Sequence, residues 1–577
     1  MAMTRMLPVR ATLRRPRLRW VDLVVGGAIL VVLGLVLRVG QDMDVPFVPS
    51  NVGPTISTDP GNIPFYAACS LLRMFVALAA SLVFTFIYAT VAARSKRAEK
   101  AMIPVLDILQ SVPVLGFLSI TVTAFIALFP GSALGLECAS IFAIFTAMAW
   151  NMAFAFYYSL RSQPKPLDEA GRLMRLTRWQ RFWKLDVPSG MVPLIWNGML
   201  SFGGAWFFLA ASETISVLNH QYALPGIGSY VATASSEKQL GKIAIAICVM
   251  VVMVVGVNFL FWRPLVAWAE QFRIGDSVAA DVPRSVVFDV VRRSSVPSLM
   301  ARPWRPVGRW LDRATRVFGV TTASVTPEAE TKRRGDAVFD FVIVALVAVG
   351  VWRALDYVDD TVGLGEFVHA FWLGALTFGR VVIVLIFSTL VWVPIGVWIG
   401  MNPRVSRIAQ PVVQVFASFP ANFVFPIVVA VLIATGISLN WGSILLMALG
   451  AQYYVLFNVI AGASTIPNDL REAATLFRLS RWQKWRRLVI PAIFPSYVTG
   501  GITASGGAWN ASIVAEVVTY GTTLTAAGIG AYIAEATATG NFPDILVGLV
   551  VMSVYVVVVN RLFWRRLYKL AQGRYSL

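Results

Sequence analysis

The sequence predicts an all-α polytopic membrane protein with about twelve transmembrane helices arranged as two parallel six-helix repeats. Three observations support this prediction. Hydrophobic residues make up 57% of the 577 residues and charged residues only 14%. Apolar stretches recur that are long enough to cross a hydrocarbon core of about 30 Å as helices. The third observation is an internal repeat. With a mean hydropathy of +0.70, the chain cannot be a set of water-soluble domains.

The apolar stretches predict the position of each span. The twelve predicted spans are 20–38, 64–93, 101–128, 134–160, 190–215, 241–268, 336–355, 367–400, 411–435, 441–463, 492–517 and 541–568. The first span has a basic flank, as a secretory signal has, but no small-residue cleavage site precedes the polar residues after it. We therefore expect it to remain as an anchor.

The basic residues predict the orientation of the chain. If the tail before Trp20 is cytosolic, the inside segments hold 43 of the 49 Lys and Arg, and the outside loops hold only Lys238 and Lys242. This asymmetry predicts a multi-pass protein of the cytoplasmic membrane with both termini in the cytosol. The formal charge of +19 is thereby explained by topology, and nucleic acid is not an expected partner.

Cysteine and histidine are too few for metal or disulfide chemistry. Cys69, Cys138 and Cys248 all lie in apolar stretches, and His220 and His369 are the only histidines. A disulfide framework and a metal site are not expected. The sequence also contains no phosphate-binding loop. We therefore expect no cofactor on this chain and no enzymatic activity of its own.

Two segments of the chain repeat each other. The stretch EAGRLMRLTRWQRFWKLDVP at 169–188 returns as EAATLFRLSRWQKWRRLVIP at 472–491, an offset of 303. At slightly shifted offsets Arg73 matches Arg380, and GIG at 226–228 matches GIG at 528–530. With six spans each, the copies have the same orientation and are related by an axis along the membrane normal. The predicted regions are 1–268 for the first repeat, 269–335 for a basic cytosolic linker and 336–577 for the second repeat.

The best-conserved part of the repeat is a basic inside loop between the fourth and fifth spans, at 161–189 and 464–491. Its acidic beginning and three-residue apolar spacing predict a short amphipathic helix with an acidic first turn. The residues in question are Asp168, Glu169, Leu173, Leu176, Trp179 and Phe182, with Glu472, Leu476, Leu479, Trp482 and Trp485 in the second copy. A helix on the lipid surface is one interpretation. Retention of the acidic start in both copies favours docking to a protein.

These residues resemble a known motif. The starts Glu169-Ala170-Gly171 and Glu472-Ala473-Ala474, the RWQ centres and the terminal prolines resemble the EAA loop of binding-protein-dependent ABC importer permeases. The stretch TASGGAWNASIVAE at 503–516, followed by GIG, is similar to the nitrate, sulfonate and bicarbonate branch, whose duplicated anion permeases the repeat also resembles. Where the family has glycine, six residues after the Glu, this chain has Arg175 and Arg478, which leaves the turn geometry open.

The resemblance implies a type I importer permease in the bacterial inner membrane. It implies two cytosolic ABC ATPase subunits that hydrolyse ATP with Mg, a substrate-binding protein, and a small anion as the substrate. In the family the EAA helix sits in a groove of the ATPase subunit. The resemblance therefore assigns ATPase coupling to Glu169, Ala170, Gly171, Leu176, Trp179, Glu472, Ala473, Ala474, Leu479 and Trp482.

A second group of residues is predicted to line or gate the pathway. Its members are Ser111, Pro113, Glu213, Ser418, Pro420, Thr503, Asn510, Ser512 and Glu516. The prolines break the third helix of each copy and free carbonyl groups that could line an anion path beside Ser111 and Ser418, and helix kinking alone is the alternative. Glu213 and Glu516 either gate the path or pair with Arg73 and Arg380 to fix helix packing.

One feature of this group differs between the copies. Thr503, Asn510 and Ser512 are polar where the first copy has Leu200, Phe207 and Leu209. This predicts that selectivity resides mainly in the second copy, because an anion that leaves water needs hydrogen-bond donors along its path. The alternative is that Asn510 and Ser512 only hydrogen-bond a neighbouring helix.

Two other function classes remain as alternatives. A secondary transporter of the major facilitator type also has twelve helices in two parallel halves, but it concentrates its basic motif between the second and third helices, where this chain has only RSKRAEK. A membrane enzyme lacks any constellation of His, Cys or clustered carboxylates on which to build chemistry.

The linker contains one further prediction, an interfacial helix at 303–318. On a helical wheel Trp304, Val307, Leu311, Ala314 and Phe318 share one side, and Arg305, Arg309, Arg313 and Arg316 share the other. This pattern is typical of a helix lying on anionic lipid, and the alternative is a linker without regular structure.

Overall fold

The computed structural model describes residues 56–111, 113–130, 132–217, 220–272, 285–294, 304–315 and 363–574, with single positions at 296, 302 and within 20–38 and 342–356. Only scattered positions of the predicted spans 20–38 and 336–355 are therefore described. Residues 303 and 316–318 of the predicted interfacial helix lie outside the described residues.

Eight helices in the described part of the chain are long and apolar enough to cross a membrane. They are Pro60–Arg94, Leu134–Arg161, Arg178–Ser212, Leu240–Phe272, Gly365–Met401, Leu439–Ser464, Arg481–Ala515 and Phe542–Ala571. Four lie in each half, and each overlaps a predicted span, although Arg178–Ser212 and Arg481–Ala515 begin well before the predicted starts at 190 and 492. The prediction of an all-α polytopic membrane protein is confirmed.

The first half and the linker contain twelve helices and two strands among the described residues. They are α1 Ile63–Arg94, α2 Lys96–Ser111, α3 Leu118–Leu128, α4 Leu134–Arg161, α5 Lys165–Leu173, α6 Arg178–Arg181, α7 Val187–Ser212, β1 Thr214–Val217, β2 His220–Ala223, α8 Ile227–Ser236, α9 Leu240–Val257, α10 Arg263–Ala269, α11 Val286–Arg293 and α12 Trp304–Ala314.

The second half repeats this order. Its described elements are α13 Leu364–Met401, α14 Pro403–Ser418, α15 Phe425–Thr435, α16 Leu439–Ser464, α17 Asn468–Leu476, α18 Arg481–Lys484, α19 Ile490–Ala515, β3 Val517–Tyr520, β4 Thr522–Thr525, α20 Ile529–Thr539, α21 Phe542–Val559 and α22 Arg565–Arg574.

The third span of each half, predicted at 101–128 and 411–435, is broken next to its proline, as the sequence predicted. Helices α2 and α14 end at Ser111 and Ser418. Short 3₁₀ turns follow at Val114–Phe117 and Ala421–Phe423, and then α3 and α15 begin. Pro113 and Pro420 precede the turns in extended backbone conformations. A proline lacks an N–H and disfavours helical backbone at the residue before it, so the chain breaks there.

Two small β-hairpins were not predicted. Strands β1 and β2 pair antiparallel directly after α7, with Thr214 opposite Ala223. Strands β3 and β4 do the same after α19, with Val517 opposite Thr525. Gly521 closes the second hairpin at φ 70°, a left-handed conformation that glycine adopts without steric penalty.

Irregular helical turns also recur at matching positions. A π-helical turn at Phe182–Asp186 precedes α7, and its counterpart Trp485–Val489 precedes α19. Another pair, Asn258–Trp262 and Asn560–Trp564, follows α9 and α21. Such turns are rare in proteins, so their recurrence shows that the repeat extends to local backbone geometry.

The chain forms two compact units. One contains residues 163–195 together with parts of 1–40 and 257–324, and the other contains 41–162, 196–256 and the remainder. In the larger unit one continuous apolar core joins residues of both halves, such as Leu115 and Leu136 with Ile513 and Met552. A Cβ atom added at Gly116 would overlap the side chain of Leu549, so the two copies pack closely at this point.

Candidate functional site

Each EAA loop folds as two helices joined by a sharp turn, not as the single amphipathic helix that its apolar spacing predicted. In the first loop α5 ends at Leu173 and α6 begins at Arg178. In the second loop α17 ends at Leu476 and α18 begins at Arg481. Arg175 and Arg478 have positive φ angles of 46° and 50°. A left-handed residue ends a right-handed helix, so the three-residue apolar pattern is divided between two helices.

A capping box starts the second helix of each loop. The Thr177 hydroxyl accepts a bond from the backbone N–H of Gln180, whose side chain accepts the N–H of Thr177 in return. Ser480 and Gln483 make the same reciprocal pair. Thr or Ser three residues before Gln satisfies two backbone donors at a helix start. The RWQ motif therefore marks a helix beginning.

The two glutamates of the motif lie just beyond the first helical turn, which corrects part of the expectation of an acidic first turn. Helices α5 and α17 begin at Lys165 and Asn468, so Glu169 and Glu472 are their fifth residues. Both glutamates are exposed. Gly171 and Ala474, two residues further on, are buried, and a Cβ at Gly171 would meet Leu185. The glutamates thus lie on the accessible side of the loop and the small residues on its packed side.

Exposed apolar side chains cluster at the turn of both loops. Leu173 is 85% exposed and Leu476 is 83% exposed, and each is followed by a second exposed apolar residue, Met174 or Phe477. Leu176 and Leu479, which the sequence assigned to coupling, are half-buried. Met174 and Phe477 were missed because each directly follows another apolar residue, and neighbours in the sequence do not share one face of a helix. Large unpartnered apolar groups on matched loops are typical of a protein-docking surface.

The two loops differ in how much of the second helix is covered. Trp482 is 71% exposed, whereas its counterpart Trp179 is half-buried. Gln180 is buried and Gln483 is exposed. Gln163 holds the first loop closed by donating to Asp186 Oδ1 at 3.2 Å and Ser189 Oγ at 2.6 Å.

The second loop is fixed differently, through a residue that sequence reasoning missed. Arg471 donates to the carbonyl of Ala463 at 3.0 Å and to that of Met401 at 3.3 Å. These carbonyls lie at the ends of α16 and α13, where an arginine satisfies free acceptors and interacts favourably with the helix dipole.

A buried ionic cluster lies at the opposite end of α7. This first arginine cluster consists of Ser70, Arg73, Glu137 and Glu213. Arg73 makes two bonds of 2.6 Å to the carboxylate of Glu137 and one of 2.8 Å to Glu213. Ser70 also donates to Glu213 at 2.6 Å. The pairing of Arg73 with Glu213, one of the alternatives from the sequence, is present. Glu137 was missed as a partner because only the fold brings it to Arg73.

The second half contains a corresponding second arginine cluster, made of Thr377, Arg380, Asn440 and Glu516. Arg380 donates to Glu516 at 2.6 Å and Thr377 donates to the same oxygen at 2.7 Å. At the place of Glu137 this cluster has an amide, and Arg380 bonds the Asn440 side chain at 3.2 Å. The first cluster therefore contains one more carboxylate than the second.

The GIG motif completes both clusters. In the first, the N–H of Gly228 donates to Glu213 Oε2 at 2.7 Å. In the second, Gly530 donates to Glu516 Oε2 at 2.8 Å. A Cβ on Gly226 or Gly528 would overlap these carboxylates. Helices α8 and α20 begin here, and a helix N-terminus stabilises a carboxylate. The glycines allow the close approach.

The broken third helices contact the other copy. The N–H of Val114, after Pro113, donates to Asn510 Oδ1 at 3.1 Å. The Asn422 amide, after Pro420, donates to the carbonyl of Phe207 at 3.3 Å. Phe207 and Asn510 occupy matching positions, so the two contacts are related by the repeat. A Cβ at Gly203 would also stand 2.5 Å from the Ser418 hydroxyl oxygen.

The remaining pathway residues do not share one surface. On α19, Thr503 and Asn510 are seven residues apart and lie on one face. Ser512 lies on the other side, where it is fully buried and donates to the carbonyl of Trp509 at 2.8 Å. Thr503 is exposed and bonds the carbonyl of Thr499. Ser111 ends α2, and its side chain lies outside the described residues. In the part of the chain that the structure describes, no group of three His, Cys, Asp or Glu side chains is placed to hold a metal ion.

Comparison with known proteins identifies the family. The sequence profile described as "Binding-protein-dependent transport system inner membrane component" matches residues 72–263 and 392–570. Together these matches cover more than half of the chain. The chain belongs to this family. The resemblance to a duplicated ABC importer permease of type I architecture is confirmed, and the major facilitator alternative is not supported.

Relatives of the permease are named for the transport of nitrate, bicarbonate and taurine. It is 24% identical over 200 residues to a nitrate import permease protein of Leptolyngbya laminosa, a match to 35% of this chain and 68% of the relative. A bicarbonate transport system permease protein of Synechococcus elongatus is 23% identical, with coverages of 33% and 66%. A taurine transport system permease protein of Escherichia coli is 26% identical, with coverages of 25% and 51%. The matches thus leave a third to a half of each relative uncovered.

Proposed function

We propose that this permease forms the translocation path for a small anion and that two separate ABC ATPase subunits drive it by docking on the two EAA loops. The main support for this docking is that both loops, which have matching folds, expose apolar side chains at their turns around Leu173 and Leu476. A groove on each ATPase would cover these side chains, and burying one leucine or phenylalanine contributes about 1.5–3 kcal/mol. ATP and Mg would be bound by those subunits.

The proposed orientation follows from the charges. Both EAA loops and both termini belong to the basic segments, so we place them in the cytosol by the positive-inside rule. The arginine clusters and hairpins, at the opposite ends of α7 and α19, then face the periplasm. A substrate-binding protein would deliver the anion to that side, as the family description implies.

The proposed path runs along the face of α19 that contains Thr503 and Asn510. Asn510 uses its carbonyl oxygen for Val114 and donates from its amide to the carbonyl of Gly506 at 3.0 Å. An amide group has two N–H donors, so one remains for an anion. Arg73 and Arg380 are already paired with carboxylates, so we assign them a structural role and not a substrate-binding one. Nitrate, bicarbonate and a sulfonate are all anions that such a neutral donor could bind.

Co-purification with ATPase subunits tests the docking proposal. The variant in which Leu173, Met174, Leu476 and Phe477 are all changed to Ser should reduce recovery of the ATPase from detergent extracts by tenfold or more, since about 1.4 kcal/mol corresponds to tenfold in affinity. The control is Val286→Ser, which removes a valine that is 80% exposed on α11. Equal recovery with wild type and both variants would reject docking at these turns.

A further inference from the structure

Helix α12 of the linker presents an apolar face on which two large side chains are exposed. Val307 is 44% exposed and Trp310 is 65% exposed. They are three residues apart, so they are neighbours on the helix surface. Leu311 extends the same face and is half-buried.

The opposite face of α12 is charged and contacts the first EAA loop. Asp312 lies about 140° around the helix from Val307. Its carboxylate is 3.9 Å from the Lys184 ammonium, which follows α6 in that loop. This contact, between side chains that are 55% and 39% exposed, places Asp312 toward the EAA loop and Val307 and Trp310 away from it.

A second contact ties the linker to a membrane segment. The Ser294 hydroxyl, at the end of α11, donates to Asp22 Oδ1 at 2.9 Å. Asp22 is buried and directly precedes the apolar run of the first predicted span, in which Leu23 and Leu30 are exposed. A residue bonded at the polar end of an apolar span lies at the depth of the lipid headgroups.

The charge of this segment identifies what covers the apolar face. Residues 292–316 contain seven arginines and a single carboxylate, that of Asp312. Arg292, Arg293 and Arg313 are exposed. Clustered arginines beside a membrane span attract anionic phospholipids, and a helix with exposed Val and Trp inserts that face among the headgroups. A soluble protein partner with an apolar groove would not require this charge.

We propose that α12 lies on the anionic surface of the bilayer and positions the first EAA loop through the ion pair between Asp312 and Lys184. Lipid charge would then control the order of the first EAA loop and not of the second, which belongs to the other compact unit. An effect of lipid charge on transport would depend on the proposed coupling function of the EAA loops. The membrane contact itself can be tested without any transport activity.

Fluorescence of the full chain in nanodiscs tests the membrane contact. Cys69, Cys138 and Cys248 are replaced, and a single environment-sensitive label is placed at Val307→Cys. Gly308→Cys is the control, since it is turned about 100° away on the same helix and has no described atom within 4 Å of its Cβ position. With phosphatidylglycerol present, iodide should quench the label at 307 roughly threefold less than the label at 308, and phosphatidylcholine alone should reduce this difference. Equal quenching at both positions would overturn the proposal. Protection at 307 that is the same in both lipids would also overturn it, because it would show that protein, and not anionic lipid, covers the face.

Hydrogen exchange tests the link to the EAA loop. Asp312→Asn should raise amide exchange at residues 178–186 in anionic nanodiscs, and exchange at 481–489 should stay as in wild type. The control is Asp289→Asn, an exposed carboxylate on α11. Unchanged exchange at 178–186 would show that α12 does not position the loop, and an equal rise in both loops would point to a general loss of stability instead.

Discussion

Arg175 and Arg478 share a left-handed backbone conformation, with φ of 46° and 50°, at matching positions of the two EAA loops. The family resemblance places a glycine there, and glycine adopts this conformation without strain. Both loops therefore form the turn expected with a glycine, although an arginine occupies that position. For a non-glycine residue this conformation costs about 1–2 kcal/mol, so the surrounding contacts of each loop must hold it in place.

Substitution at Arg478 should distinguish glycine from a β-branched residue. Arg478→Gly should keep the turn and leave the free energy of unfolding unchanged or raise it by up to about 1 kcal/mol. Arg478→Val should disorder the turn, because β-branched residues are disfavoured at positive φ. Amide exchange at residues 468–489 measures the difference. Arg481→Val, at an exposed helical position, is the control, and an effect as large as that of Arg478→Val would contradict the role of φ.

The arginine clusters should respond unequally to loss of charge. Arg73→Met leaves two buried carboxylates without their cation and should lower the free energy of unfolding by about 3–5 kcal/mol. Glu137→Gln should cost much less, because Glu213 still pairs with Arg73 and the second cluster already has the amide of Asn440 at this place. Thermal unfolding in detergent measures both. Equal destabilisation by the two variants would show that the first cluster does not accept an amide at position 137, where the second cluster has Asn440.

The glycines of the GIG motifs should not tolerate a methyl group. Gly226→Ala would push a Cβ into the Glu213 carboxylate and should destabilise the protein by about 1–3 kcal/mol. Gly241→Ala is the matched control, since no described atom lies within 4 Å of its Cβ position. Melting temperatures that fall equally in both variants would mean that close approach to Glu213 is not the reason for the glycine.

Part of this arrangement was readable from the sequence and part was not. The approximate positions of the eight described spans followed from hydropathy because a helix must be apolar where it crosses the hydrocarbon core. The starts of Arg178–Ser212 and Arg481–Ala515 did not, because their first turns are basic and lie outside the apolar stretches. The hairpins are only four residues per strand, too short for a periodicity. The left-handed Arg175 could not be read from side-chain type, since arginine usually prefers the right-handed region. Glu137 lies far from Arg73 in the sequence, so only the fold revealed that they meet.

Two amides of the second copy should have different effects on transport. Asn510 and Asn422 each make one hydrogen bond to the first copy, but only Asn510 shares a helix face with Thr503. Asn510→Leu should raise the KM for the anion by about tenfold or more, because a lost hydrogen bond to a charged group is worth about 1.5–3 kcal/mol. Asn422→Leu should leave KM within about twofold of wild type. Equal KM values for both variants, with normal folding, would place the path elsewhere. Ser512, although grouped with Asn510 in the sequence, is unsuited to this test because it is buried.

The central claim is that this chain is the membrane half of an ATP-driven anion importer, and uptake by proteoliposomes tests it most directly. The permease is reconstituted with ABC ATPase subunits and a binding protein from the same genome, and uptake of labelled nitrate, bicarbonate and taurine is measured with and without enclosed ATP. We predict uptake of at least one anion that requires ATP and is abolished when Leu173, Met174, Leu476 and Phe477 are all changed to Ser. Uptake that is independent of ATP, or that persists in this variant, would contradict the account.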